Sequence, residues 1–238
     1  MKREQLVSFL VLALIVASIS SGLVGDYTSG DNAQYLITPA PVMFGIWFPI
    51  FAGMLAFGVL QLSAVQRKRY QLDALRWRVL IPFGLAGLWV HLFPVVPPLV
   101  QVLIAAATFI LAFNAAWHVQ PPSGTDERYT WLVSVPLNLF AGWITLASAI
   151  TINGAYGLPG PSQAIAALTV LIAAAVAAVA VWKLPDPRAY AAAVLWGLCG
   201  VLIANQFAVT RTNVLIIGSL LLLAGEFIMV ARHRETCS

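Results

Sequence analysis

The chain has 238 residues, of which 61% are hydrophobic and only 9% charged, whereas soluble domains carry about 25% charged residues, so a large soluble domain is excluded. The formal net charge of +4 would suit nucleic acid, but the basic residues are placed as a membrane topology signal, which sets that partner aside. What remains is an all-α integral membrane protein.

A spanning helix needs roughly 20 mostly apolar residues, and eight such stretches occur, at about 6–24, 41–63, 79–95, 98–117, 130–152, 163–182, 189–207 and 213–231. They predict a polytopic bundle of about eight spanning helices. With the amino terminus in the cytoplasm, only Arg211 of the 13 Lys and Arg residues falls on the outer face. That bias is a positive-inside signature and predicts both termini in the cytoplasm. The expected location is a bacterial inner membrane.

The first stretch, "MKREQLVSFLVLALIVASISSG", opens like a secretory signal. Its apolar run from Leu6 to Val24 exceeds the usual signal core of about 7–15 residues, so it is read as a helix. The outer loop that follows, "GDYTSGDNAQYLITPAP", holds Asp26 and Asp31 and no basic residue. The second helix is entered through "ITPAPVMFGIWFPIF", where Pro39 and Pro41 break the chain and Phe44, Trp47, Phe48 and Phe51 crowd one boundary. Aromatic belts account for some of these rings. Gly45, Pro49 and Gly53 let this helix bend and approach neighbours, so Trp47 is a candidate to face inward.

The link "QRKRYQLDALRWR" reads as a short interfacial helix against anionic headgroups. Trp89 and His91 lie in the third helix, Asn138 and Trp143 in the fifth. Helices six and seven are alanine-rich, which suits either close helix packing or an oligomer surface; abundant alanine alone is the bland account. Cys199 and Cys237 would sit in different environments, so no disulfide is expected. Ionisable and polar groups within the spans are functional candidates by default. His91 is either an axial haem ligand or, as for most lone histidines, hydrogen-bonded to a neighbouring helix. Asn114, Asn138, Asn205 and Gln206 read as interhelical hydrogen-bond partners, and Glu226 as a side chain reaching toward the cytoplasmic face. Walker, GxGxxG, HExxH and CxxC motifs are absent, so the chemistry reads as binding rather than catalysis, with no metal site.

"PAPVMFGIWFPIFAGMLAF", "GLWVHLF" and "VPLNLFAGWITLASAITIN" resemble the second, third and fifth helices of the TspO/MBR family, the tryptophan-rich sensory proteins. The sequence departs from the family at Val42 or Met43, where a tryptophan is usual, and at Leu137, where an aromatic is usual. The resemblance implies a five-helix bundle over residues 1–153, with residues 154–238 as three additional helices, and an interior that holds a flat hydrophobic ligand such as a porphyrin. It makes Tyr35, Phe44, Trp47, Trp89, His91, Asn138 and Trp143 the ligand-binding candidates, with loop 25–40 as a lid. The alternative for the same residues is packing and belt aromatics. The functional expectation is ligand sensing, trafficking or disposal, with a bound porphyrin or haem as the candidate ligand; any turnover would be photochemical or oxidative. The other reading is an accessory or assembly subunit of a larger membrane complex, or a homo-oligomer, docked through helices six to eight.

Overall fold

The computed structural model describes residues 3–24, 36–92, 95–119, 127–156 and 162–237, and no strand occurs among them. In chain order come α1 (Arg3–Val24), a 3₁₀ turn over Pro41–Ile46 that runs into α2 (Trp47–Leu60), α3 (Ala64–Arg69), α4 (Leu72–Leu92) and α5 (Pro98–His118). Then α6 (Glu127–Tyr129) passes through a π turn over Thr130–Ser134 into α7 (Val135–Tyr156). They are followed by α8 (Gln163–Lys183), α9 (Arg188–Ala204) and α10 (Arg211–Cys237).

Among the described residues, five helical stretches are long and apolar enough to cross a membrane: Pro41–Leu60, Pro98–His118, Glu127–Ala155, Gln163–Lys183 and Arg211–Met229. Leu6–Ser20 and Arg188–Ala204 are shorter apolar helices. The protein is thus an all-α membrane helix bundle. The third expected helix starts seven positions early, at Leu72 rather than 79, and so takes in Asp73, Arg76 and Arg78. The expected interfacial link is split in two. Ser63 caps α3 by accepting from the Gln66 amide at 3.3 Å, and Gln71, at φ 50°, turns the chain through the left-handed region before α4.

The bundle is arranged around α7. Of its apolar window 72% is buried, against 28–44% for the other candidate spans, and it packs on α2, α5, α8 and α9. The π turn just ahead of it has a local cause. Pro136 offers no N–H and its ring would press on the Leu132 carbonyl; widening the preceding turn, with the Val135 amide bonded to the Thr130 carbonyl, relieves the clash. Small residues set the helix separations. A side chain at Gly53 would overlap the Pro136 ring, one at Gly142 the Tyr190 carbonyl, and one at Gly197 the Leu146 side chain. One apolar core runs through Phe57, Phe140, Tyr190, Val201 and Leu223, from α2, α7, α9 and α10. It is therefore continuous across residue 153.

Polar pairs tie the helices at intervals. The Thr145 and Tyr190 hydroxyls lie 2.7 Å apart between α7 and α9, and Ser148 donates to the Ala105 carbonyl of α5 at 3.2 Å. A buried knot joins α1 to α4: Arg67, 4% exposed, donates through Nη1 to Ser8 Oγ at 2.9 Å and to the Gln61 carbonyl at 2.6 Å. Gln61, fully buried, donates to the Leu72 carbonyl at 3.1 Å and accepts from Arg76 at 3.0 Å, while Arg76 also pairs with Asp73.

Gly142→Val should destabilise the bundle by about 1–3 kcal/mol or more, because the obstacle is backbone and cannot turn aside. The midpoint of thermal unfolding in detergent measures this; a midpoint equal to wild type would refute the α7–α9 close approach.

Candidate functional site

The entry to α2 follows from its prolines. Ala40, at φ −53° and ψ 143°, is held extended by Pro41, and Pro41 starts the 3₁₀ turn where a missing N–H costs nothing. That turn delivers Phe44 and Trp47 to the core side, and both pack against it while remaining partly exposed. Phe44 meets Trp143 edge-on, with ring centroids 5.4 Å apart. Trp47 stacks on Phe51 at 5.2 Å and lies 6.2 Å from Phe140. Phe140 meets Phe83 at 5.6 Å, and Phe83 meets Phe51 at 6.2 Å. Trp47, Phe51, Phe83 and Phe140 thus close a ring of four aromatics from α2, α4 and α7. Such pairs add about 0.5–1.5 kcal/mol each beyond the area they bury.

Beside this ring runs a crevice between α1, α2 and α4, lined by Ser18, Trp47, Phe51, Phe83, Ala86, Gly87 and Val90. It is narrow: its free interior is about 10 Å³, room for at most one water and far below the ~300–1,000 Å³ of ordinary ligand pockets. Gly87 brings α1 close here, since a Cβ at that position would stand 3.3 Å from the Ser18 Cα. The Trp47 indole N–H is buried and has no hydrogen-bond acceptor among the described residues. A buried donor left in this state costs about 1–3 kcal/mol, so it is a feature that a ligand could satisfy.

The remaining candidates scatter. Trp143 is 2% exposed and sits in the core behind Phe44. Asn138 is equally buried and donates to the Ser134 carbonyl at 2.9 Å, so it braces the π turn, while its Oδ1 has no partner among the described residues. Trp89 is partly buried on α4. His91 lies in the last turn of α4, is exposed, and does not line the crevice. Tyr35, with most of the expected lid, lies outside the described residues. Asn114 is exposed, whereas Asn205 does bond across helices, to Asn213 Oδ1 at 2.9 Å. Among the described residues, no three His, Cys, Asp or Glu side chains gather in a way that would hold a metal ion. Ser18, Phe51, Phe83, Gly87 and Phe140 were missed as site residues. The one sequence signal for them is the Gly84–Gly87 spacing on α4, which marks a face that a neighbour approaches closely.

A family model described as TSPO-like protein matches residues 5–231, a stretch that takes in α8, α9 and most of α10. No curated protein and no solved structure matches the chain.

Two substitutions separate packing from ligand contact. Phe140→Ala should cost about 3–5 kcal/mol of stability. Trp47→Phe keeps a ring and deletes an unsatisfied donor, so its unfolding midpoint should stay at or above wild type. A marked drop for Trp47→Phe would make that indole a structural element.

Proposed function

The chain belongs to the TSPO-like family, and from that premise we propose that it binds a flat hydrophobic ligand of the tetrapyrrole class against the α1–α2–α4 crevice. The observation that carries this reading is Trp47, which lines the crevice, is ring-stacked on one side and holds a buried N–H without an acceptor among the described residues. A tetrapyrrole offers what that wall lacks: π faces for the aromatic ring of four, and acidic edge groups that accept from an indole N–H.

The small crevice also dictates how such a ligand binds. With about 10 Å³ of free interior, room for at most one water, the crevice admits no part of a macrocycle until α1 yields along its Gly87–Ser18 contact. Binding of this kind serves sensing, trafficking or disposal of the ligand in a bacterial inner membrane, with both chain termini in the cytoplasm. The protein acts as a binder rather than an enzyme.

Titration of the detergent-solubilised protein with protoporphyrin IX, followed by tryptophan quenching and the porphyrin absorption band, tests the reading. Saturable micromolar binding is expected, weakened roughly threefold to tenfold by Trp47→Phe, the range of one hydrogen bond. Linear quenching that ignores the substitution would mean partition into micelles. The function would then be sought in an accessory subunit of a larger membrane complex, through whatever protein co-purifies.

A further inference from the structure

The segment that shapes the site is held by a helix remote in sequence. Residues 36–46 contain Pro39 and Pro41, which have no N–H, so this stretch cannot bond itself into a helix throughout. Its remaining backbone groups still need partners, because orphaned polar groups are costly at a membrane boundary. Those partners come from α9 and its exit. The Ala40 amide donates to the Gly200 carbonyl at 2.9 Å. Trp196 Nε1 donates to the Met43 carbonyl at 2.9 Å, and Asn205 Nδ2 to the Leu36 carbonyl at 2.9 Å.

Two further features keep these bonds in place. Gly200 has no side chain where one would overlap Met43 and crowd Pro39, so α9 and the segment touch backbone to backbone. Asn205 is aimed by the Asn213 side chain, which is itself anchored on the Ala208 carbonyl at 2.7 Å. The turn between α9 and α10 passes through Gln206 and Phe207 at φ 51° and 55°, a conformation that non-glycine residues hold only when their surroundings fix it. One turn earlier on α9, Gly197 leaves room for the Leu146 side chain of α7, and on the same helix Trp143 backs Phe44.

Resting on the ligand-binding reading above, we propose that α9 is the positioning element of the site: Trp196, Gly200 and Asn205 clasp segment 36–46 and thereby set Phe44 and Trp47, so that they govern ligand retention without touching the ligand. Loosening the clasp would let the aromatic wall drift and the ligand leave faster while the bundle stays folded.

The test uses the full chain in detergent, with Trp196→Phe and Asn205→Ala made separately. Each deletes a donor to the segment. Hydrogen exchange of peptides covering 36–46, measured without ligand, should speed up roughly twofold to tenfold, the range of one lost hydrogen bond. Peptides from α5 should stay at wild-type rates, and so should the unfolding midpoint. Stopped-flow release of protoporphyrin IX should quicken in the same variants. Wild-type exchange and release in both variants would overturn the proposal, and so would exchange rising equally in α5, which marks general loosening. A wild type that binds no porphyrin removes the proposed function and the positioning role with it, even where faster exchange at 36–46 shows that the clasp exists.

Discussion

How closely other helices can approach α7 decides the rest of this structure. Lipid tails are as apolar as leucine, so membrane helices gain little from burying apolar surface and associate through tight contact instead. At α7 that contact is made by the Gly53 backbone on the Pro136 ring, by Gly142 on the Tyr190 carbonyl, and by Gly197 on Leu146. The same proline that serves as a contact surface also imposes the π turn before it. Phe140 lies one turn beyond Pro136 and completes the aromatic ring of four. The site and the scaffold are therefore one packing problem.

The existence of the helices was legible because a run of about 20 apolar residues has few other fates. The start of α4 was not. Asp73, Arg76 and Arg78 look like surface charge in the sequence, but Arg76 is drawn to the buried Gln61 and pairs with Asp73, so helix extends back to Leu72. The other end also differs: α4 stops at Leu92, which puts His91 in the last turn, and it is exposed there. Trp47 could be read as inward from the Pro and Gly residues around it. Phe83 and Phe140 could not, because a phenylalanine in an apolar helix carries no mark of which face it occupies. Asn205 was legible as an interhelical bond, though its second bond, to Leu36, depends on a turn that composition does not reveal.

Continuity between the amino-terminal and carboxy-terminal halves recurs at every scale. The core passes without a break from α2 through α7 to α9 and α10. Phe44 rests on Trp143 of α7, and three residues on, Leu146 fills the gap left by Gly197 of α9. The entry segment before α2 has its polar bonds on α9. A proline-broken stretch is a poor place to fix an aromatic wall unless something else supplies donors, and α9 does so from more than 150 residues away.

The knot around Arg67 bears on how the chain is made. A guanidinium 4% exposed is tolerable only with its bonds complete, since a buried charge stripped of partners costs several kcal/mol. Its partners are Ser8 on α1 and the Gln61 carbonyl at the end of α2; Gln61 in turn needs Leu72 and Arg76. Arg67 can meet these partners as soon as it is made, but Gln61 is completed only when Leu72 and Arg76 follow. The end of α2 is therefore settled only once α4 has begun to emerge. At that corner of the protein, assembly trails synthesis.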